Sequence, residues 1–198
     1  MSNTEYQFTK DWFHWAPEVW QQLIPLLPQG NRSFLEIGSF EGRSTVWILE
    51  NMMGAKGNIT CIDTWEGGEE HSAEDMKAVY ERFVHNMKTI KNKRACGLST
   101  RIGKSVNELA DCIGAGEEYD FIYIDGSHIA KDVLTDTCMA WQLLKPKGLM
   151  VFDDYMWGNP RDALHRPKIA IDAFTNIFAE EAEIIHVGYR LVVRKKGE

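Results

Sequence analysis

The stretch FLEIGSFEGRS at residues 34–44 decides the fold that we predict for this chain. An apolar strand that carries one acid, Glu36, leads into a turn with Gly38 and Gly42, and an amphipathic helix is predicted over residues 45–53. Glycines permit tight turns and close packing, and the amides at a helix start point their positive ends into such a turn. The stretch therefore predicts a cradle for a cofactor, with a plain structural turn as the alternative.

The spacing of the glycines narrows the class of cofactor. Only Gly38 and Gly42 are present, so the turn lacks the G-x-G-x-x-G pattern of dinucleotide enzymes. Asp63 ends a short buried strand predicted over residues 58–63, and an acid at that place can accept both ribose hydroxyls of a nucleoside. We expect a nucleoside-containing cofactor, with a capping or turn role for Asp63 as the alternative. Trp65, just beyond, is predicted either to stack on a ligand ring or to cover the sheet edge.

Composition excludes several classes of protein. A chain of 198 residues with 44% hydrophobic residues suits one soluble domain, and no apolar run is long enough to span a membrane. The formal charge of −7 argues against a general nucleic-acid or anionic-membrane surface. The cysteines are scattered without metal-ligand spacing, which is typical of reduced thiols. We therefore expect a cytoplasmic protein that binds neither nucleic acid nor membrane.

The N-terminal residues 1–30 form an aromatic-rich segment that we set apart from the main domain at residues 31–198. Tryptophans and leucines recur at helical spacing between Trp12 and Leu27, with interruptions at Pro17 and Pro25. We predict that this segment packs on the sheet or forms a contact between subunits of a homo-oligomer. The alternative is a lid over a substrate, because exposed tryptophans often mark binding surfaces.

Strand-like and helix-like segments alternate along the rest of the chain, which predicts an α/β fold with a largely parallel sheet. Residues 72–75 have the spacing of a capping box, and Ser105 with Glu108 forms a second one, so Ser105 is predicted to be a helix N-cap. Further strands are predicted over residues 100–103, 119–125 and 149–154, with a C-terminal hairpin over 184–194.

Three acids follow neighbouring strands of the predicted sheet. Asp125 closes one strand, and Asp153 with Asp154 closes the next. Ligands bind outside the carboxyl ends of parallel strands, so these carboxylates should converge, and a hard divalent cation would relieve their repulsion. Ligation by oxygen alone suits Mg²⁺, Mn²⁺ or Ca²⁺. The alternative is that one acid binds metal or cofactor while the others cap helices or face water.

His128 lies close to Asp125 in sequence, at the start of a predicted helix. A histidine at the active edge of the sheet is suited to general-base catalysis, because its charge changes near neutral pH. The alternative is a surface or capping role.

Together these motifs resemble class I S-adenosylmethionine-dependent methyltransferases, and within them the metal-dependent O-methyltransferases of macrolide sugars and of the catechol type. The motifs are Glu36-x-Gly38-x-x-x-Gly42, Asp63, Asp125-Gly126-x-His128 and Asp153-Asp154, in that order along nearly the whole chain. The resemblance implies a Rossmann-like, seven-stranded, mostly parallel sheet with an antiparallel last strand and helices on both faces. The chain departs from the sugar enzymes by lacking their added N-terminal domain. It departs from the catechol type by having Asp-Asp where Asp-Asn is common.

The resemblance also implies roles for single residues. S-adenosylmethionine would be held by the residues that match the family's cofactor motifs, which are Glu36, Gly38, Ser39, Gly42, Asp63, Trp65, Ser105 and Asp125. Among these, Glu36 would hold the methionine amino group, and Ser105 would lie near the adenine. Asp125, Asp153 and Asp154 would bind Mg²⁺, and His128 would act as the base.

The function that we predict is metal-assisted O-methylation of a small molecule, with a sugar or polyol hydroxyl as a candidate acceptor. One alternative is a nucleotide-dependent oxidoreductase of Rossmann type, which would use the same cradle and Asp63 but leaves the acid cluster unexplained. The other is a non-catalytic cofactor-binding or assembly protein.

Overall fold

The computed structural model describes residues 5–54, 56–68, 75–158 and 162–197. Its seven strands are β1 (Ser33–Ile37), β2 (Asn58–Asp63), β3 (Gly97–Ile102), β4 (Tyr119–Ile124), β5 (Leu144–Phe152), β6 (Ala182–Val187) and β7 (Leu191–Lys195). They form one sheet in the order β3-β2-β1-β4-β5-β7-β6. The pairs along β3, β2, β1, β4 and β5 are parallel, and β7 runs antiparallel to both β5 and β6. The predicted α/β fold with an antiparallel last strand is confirmed.

Helices cover both faces of the sheet. They are α1 (Ala16–Leu23), α2 (Arg43–Asn51), α3 (Met76–Lys93), α4 (Ser105–Gly114), α5 (Ala130–Leu143) and α6 (Pro167–Ile177). Side chains of α1, α2 and α3 share one apolar core with alternate strand residues such as Phe34 and Phe121. Side chains of α4, α5 and α6 share the second core with the intervening residues, such as Leu35 and Ile122. Burial of the central strands on both faces explains their continuous apolar sequence.

The N-terminal segment packs on the first of these cores. Trp20 is fully buried and makes edge-to-face contacts with Phe121 and Tyr123 of β4. Trp12 and Trp15, by contrast, remain exposed. Packing on the sheet is therefore what the structure describes for α1, whereas the division at residue 30 and a role in subunit contact stay predictions.

The strand registers place the functional candidates at one edge of the sheet. Ile37 at the end of β1 pairs with Ile62 of β2 and with Ile124 of β4, and Ile124 pairs with Phe152 of β5. The residues that follow these strands therefore emerge side by side at the carboxyl edge, where ligands bind in open α/β sheets. Among the described residues, no helix has the length and apolar character that a membrane crossing requires.

The predicted N-cap of α4 is wrong, and only part of the capping box predicted at residues 72–75 lies within the described residues. The N-cap of α4 is Lys104, without a side-chain hydrogen bond, and Ser105 is the first helical residue. Ser72 lies outside the described residues, but Asp75 of the same predicted capping box does cap α3. Its carboxylate accepts from the amides of Lys77 and Ala78, as capping carboxylates do.

Candidate active site

The glycine turn is shaped by the protein chain itself. Gly38 has φ of 86°, and a Cβ at that position would lie 2.1 Å from the backbone oxygen of Asp125. Gly42 has φ of 78°, and its Cβ would lie 2.7 Å from Met87 Cε of α3. Glycine is therefore required at both positions because the loop after β4 and helix α3 contact the turn closely. These contacts are a stronger reason for glycine than the approach of a ligand alone.

Glu36 lies beneath this turn and is completely buried. Three hydroxyls donate to its carboxylate: Ser39 at 2.7 Å, Ser44 at 2.6 Å, and Thr45. Burial raises the pKa of Glu36, and the hydroxyl donors oppose that rise. In this structure Glu36 and Ser39 tie the turn to the start of α2. Their predicted contact with a cofactor stays a prediction.

Asp63, at the end of β2, binds the backbone of the glycine turn. Its Oδ2 accepts from the backbone amides of Ser39 at 2.8 Å and Phe40 at 2.9 Å. Its Oδ1 accepts from the amide of Trp65 at 2.8 Å. A carboxylate has about four acceptor positions, and the three amides leave roughly one of them, which suits one ribose hydroxyl; contact of Asp63 with both hydroxyls stays a prediction.

Two further predicted cofactor residues have protein partners. Trp65 is buried against Tyr80 and Phe83 of α3, and its indole nitrogen donates to the backbone oxygen of Phe40 at 2.8 Å. Trp65 therefore packs against α3, and its stacking on a ligand ring stays a prediction. Burial raises the pKa of Asp136 in α5 to about 6, and the neighbouring Ser105 opposes that rise. Ser105 follows β3 closely and lies at the same edge as the turn.

The three predicted metal ligands do converge. Asp125, Asp153 and Asp154 each offer a carboxylate oxygen, and these oxygens lie within 4.8 Å of one another. Burial, followed by the charges of Asp153 and Asp154, raises the pKa of Asp125 well above its ordinary value. The hydroxyl of Tyr123 donates to Asp125 at 2.9 Å. Such a cluster of hard oxygen donors fits a divalent cation.

Asp153 has a cationic partner that the sequence did not reveal. Arg190, from the turn between β6 and β7, donates through Nε to Oδ1 of Asp153 and through Nη2 to Oδ2 at 3.2 Å. Asp153 is only 6% exposed and Arg190 only 4%. Burial raises the pKa of Asp153, and the guanidinium opposes that rise. The positive charge of Arg190 therefore compensates the negative charge of Asp153, and Asp125 and Asp154 are the stronger candidates for binding a cation.

Asp154 holds the predicted base. Its Oδ2 lies 2.8 Å from Nε2 of His128, and its Oδ1 accepts from the hydroxyl of Tyr189 at 3.2 Å. The indole of Trp157 stacks on the His128 ring with centroids 4.1 Å apart and an interplanar angle of 14°. The contacts with Asp154 and Trp157 thus fix the position and the ring plane of the imidazole, with Nε2 directed at the acids.

A small cavity adjoins the acids between β5 and α6. Its volume is about 10 Å³, roughly one water-sized sphere. Its lining includes Phe152 at the end of β5, the two carboxylates that follow it, Asp153 and Asp154, and Pro167 and Ile171 of α6. The space at the acids therefore suits a water molecule or a single ion.

Sequence reasoning missed four residues of this site: Tyr123, Trp157, Tyr189 and Arg190. Tyr123 could have been found, because residues two apart on a strand share a face and Tyr123 precedes Asp125 by two. Arg190 and Tyr189 could not, because their positions depend on β7 inserting between β5 and β6.

Comparison with known proteins identifies the family. A sequence model described as a methyltransferase domain matches residues 35–155, from β1 to just beyond the acids that follow β5. The chain belongs to this methyltransferase family. The predicted resemblance to class I methyltransferases is therefore confirmed.

Relatives of this methyltransferase domain are distant. An uncharacterized protein of Acanthamoeba polyphaga mimivirus is 23% identical over 143 residues, which cover 72% of this chain and 60% of that protein. The chain thus spans about 60% of the length of the curated relative that it matches.

Solved structures share the fold. An O-methyltransferase from Bacillus cereus in complex with S-adenosylhomocysteine (SAH) superposes with a TM-score of 0.62 at 22% identity, covering 92% of this chain and 81% of that one. MycE, a methyltransferase of the mycinamycin biosynthetic pathway in complex with Mg and SAH, gives 0.60 at 18% identity, covering 94% and 51%. CalS11, a TDP-rhamnose 3'-O-methyltransferase of calicheamicin biosynthesis, gives 0.60 at 12% identity, covering 91% and 79%.

Proposed function

We propose that this methyltransferase domain transfers a methyl group from S-adenosylmethionine to a hydroxyl of a small molecule, with assistance from a divalent cation. The observation that carries the proposal is the single sheet edge shared by the glycine turn, Asp63, the acid cluster and His128. S-adenosylmethionine supplies an activated methyl group when bound, and a divalent cation supplies positive charge at the acceptor oxygen.

The residues present fit such a cofactor. Asp63 accepts from two backbone amides of the turn at residues 38–42, and the buried Glu36 accepts from Ser39 of the turn and from Ser44 of α2. Helix α2 begins at Arg43, so its first amides point toward the same edge and favour an anionic group there. Asp63 would hold the ribose, and Ser105 would stand near the adenine.

The residues also fit a hard cation, although the three acids contribute unequally. Asp125 and Asp154 offer carboxylate oxygens close together beside the small cavity. Asp153 completes the predicted set, but its negative charge is already compensated by the guanidinium of Arg190, whereas Asp154 is bound by an imidazole and a hydroxyl. We therefore propose that Asp125 and Asp154 make the larger contribution to binding.

His128 would remove the acceptor proton. Its Nε2 lies beside the acids, and it can accept a proton once Asp154, 2.8 Å away, gives up this contact and turns toward the cation. An acceptor hydroxyl held at the acids would then pass its proton to Nε2, which leaves the acceptor oxygen free to receive the methyl group that S-adenosylmethionine would supply when bound. Asp154 stabilises the imidazolium that results.

The acceptor is proposed to be a small molecule, with a sugar or polyol hydroxyl as the first candidate. One support is the fold shared with CalS11 and MycE, whose descriptions name TDP-rhamnose and the mycinamycin pathway. An acidic chain with net charge −7 also favours a small-molecule acceptor over nucleic acid or an anionic membrane. We propose a cytoplasmic location on the grounds of the scattered thiols and the composition.

The direct test of the proposal is calorimetry with SAH, and with NAD(H) as the competing cofactor. We expect saturable binding of SAH and none of NAD(H). Binding of NAD(H) alone would instead favour the oxidoreductase alternative. Binding of SAH without methyl transfer to any member of an acceptor panel would favour a non-catalytic protein.

Asp63→Ala should weaken SAH binding by about 1.5–3 kcal/mol, the scale of hydrogen bonds to a charged group. The variant removes the acceptor of three backbone amides and the predicted ribose contact. Asp75→Ala is the matched control, because it removes a carboxylate that accepts from two amides at the start of α3. We expect Asp75→Ala to lower thermal stability and to leave SAH affinity unchanged. Equal SAH affinity in Asp63→Ala and the parent would contradict this assignment.

Removal of divalent cations should lower the rate of methyl transfer, and added Mg²⁺ or Mn²⁺ should restore it. Calorimetric titration of the metal-free protein with Mn²⁺ provides a readout that does not depend on an accepted substrate. Asp125→Asn and Asp154→Asn should each weaken Mn²⁺ binding, because each removes a charged ligand. Asp162→Asn, a change in a carboxylate paired with His165 on the surface, should not. Full activity after verified metal removal would exclude the cation from the mechanism.

A further inference from the structure

The start of the chain is bound to the glycine turn by a network of polar contacts whose buried members are Glu41 and Asn86. We name residues 7–11 the N-terminal strap. Thr9 donates to the carboxylate of Glu41 twice, from its amide at 2.6 Å and from its hydroxyl at 2.7 Å. Glu41 belongs to the turn at residues 38–42 and is only 2% exposed. The strap is thus joined directly to the segment proposed to hold the cofactor.

Asn86 of α3 makes the second attachment. Its side chain accepts from the amide of Gln7 at 2.7 Å and donates to the backbone oxygen of Gln7 at 2.8 Å. The same side-chain nitrogen donates to the backbone oxygen of Glu41 at 2.8 Å. Asn86 is completely buried, so all its bonds are made within the protein and one residue connects the strap, the turn and α3.

Arg43, the first residue of α2, makes the third attachment. Its Nε donates to the backbone oxygen of Lys10 at 3.0 Å, and its Nη1 lies 3.5 Å from the carboxylate of Asp11. Its guanidinium also covers the ring of Phe8, 4.4 Å from the ring centroid. The strap therefore spans the turn and both helices that border it.

The turn itself has a conformation that needs such support. Phe40 has φ of 48°, and Trp65, which donates to its backbone oxygen, has φ of 50°. Left-handed conformations of residues other than glycine cost about 1–3 kcal/mol and persist where the surrounding structure holds them. Asp63 binds the turn from the side of β2, and the strap binds it from the opposite end through Glu41. Trp12, just after the strap, also packs on Phe40 with ring centroids 5.1 Å apart.

We propose that the N-terminal strap sets the affinity for S-adenosylmethionine, with Thr9 acting as a positioning residue through Glu41. The inference rests on the proposed function, because it assumes that the turn holds this cofactor. Thr9 does not need to touch the ligand. Its hydroxyl shares Oε1 of Glu41 with Nε of Arg82 from α3, and together the two partners hold the turn between Phe40 and Gly42. Loss of the Thr9 contact leaves Arg82 as the side-chain partner of this oxygen and loosens the turn, and the ligand must then order it on binding, which lowers affinity.

Thr9→Val tests the inference, because valine keeps the shape of threonine and removes one hydroxyl bond to Glu41. We expect the Kd for SAH to rise about tenfold, the scale of one hydrogen bond to a charged group. We expect the KM for S-adenosylmethionine to rise with it while kcat changes less than about twofold. Thr9→Ser restores the hydroxyl and should restore the parent affinity.

Tyr6→Phe is the matched control. It also removes one hydroxyl bond to a glutamate close to the strap, but the acceptor is Glu50 at the end of α2, with a bond of 2.7 Å. We expect Tyr6→Phe to leave SAH affinity unchanged. Unchanged affinity in Thr9→Val, equal losses in Thr9→Val and Tyr6→Phe, or no recovery in Thr9→Ser would each overturn the inference. Failure of the parent protein to bind SAH would instead refute the proposed function.

Discussion

His128→Ala should lower kcat by roughly 10²–10⁴-fold, the usual contribution of a general base. The affinities for SAH and for Mn²⁺ should stay at the parent values, because His128 is proposed to touch neither. Its Nε2 instead meets the carboxylate of Asp154, at 2.8 Å. The loss should therefore appear in kcat and leave the KM for S-adenosylmethionine nearly unchanged.

The measurement is steady-state kinetics with an acceptor that the parent enzyme methylates. His165→Ala is a suitable control, because His165 is exposed and also pairs with an aspartate, Asp162. We expect that control to retain parental kcat. A retained kcat in His128→Ala would leave the acceptor hydroxyl without a base and would remove His128 from the mechanism.

Sequence reasoning located the candidate site well because parallel sheets obey a simple rule. Residues that follow parallel strands emerge at one edge, so the sequence alone is enough to place Asp63, Asp125 and the acids after β5 together. The carboxyl ends of these strands agree to within two residues, because β2 ends at Asp63 as predicted and β5 ends at Phe152 where Asp154 was predicted; β3 and β5 begin earlier than predicted, at Gly97 and Leu144. The same rule placed His128 near the acids.

The contacts that individual residues make were harder to predict than the positions of those residues. Gly38 was predicted to line the cradle for a cofactor, yet a side chain at this position would meet the backbone of Asp125. Glu36 was predicted to meet the cofactor, yet its carboxylate is buried under three hydroxyl donors. Both depend on contacts between segments far apart in sequence, and such contacts leave no local pattern.

The cationic partner of the acid cluster could not be predicted from the sequence for the same reason. Three carboxylates without a cation imply a metal, and that implication led to the predicted ligand set. Arg190 follows β6, which lies at the far edge of the sheet, but β7 inserts beside β5 and returns the turn to the acids. The protein thus supplies one of the positive charges that the acids require.

Asp153→Ala should lower the free energy of unfolding by about 3–5 kcal/mol, the cost of breaking a buried ion pair by removing one partner. Arg190 would remain as a buried guanidinium with neither of its two bonds to Asp153. Methyl transfer should also fall, because Arg190 and Tyr189 share the turn that holds Asp154 beside His128. Urea denaturation of the two proteins measures the difference in stability.

The double variant Asp153→Ala/Arg190→Met separates the ion pair from a ligand role. If neutralisation of Arg190 is the main role of Asp153, removing both charges should recover most of the lost stability, because no unpaired charge stays buried. A ligand role predicts the opposite pattern. Asp153→Ala would then weaken Mn²⁺ binding strongly, and the added Arg190→Met would not restore that binding. The position of Asp153, enclosed with Arg190 while Asp154 faces His128, favours the first pattern.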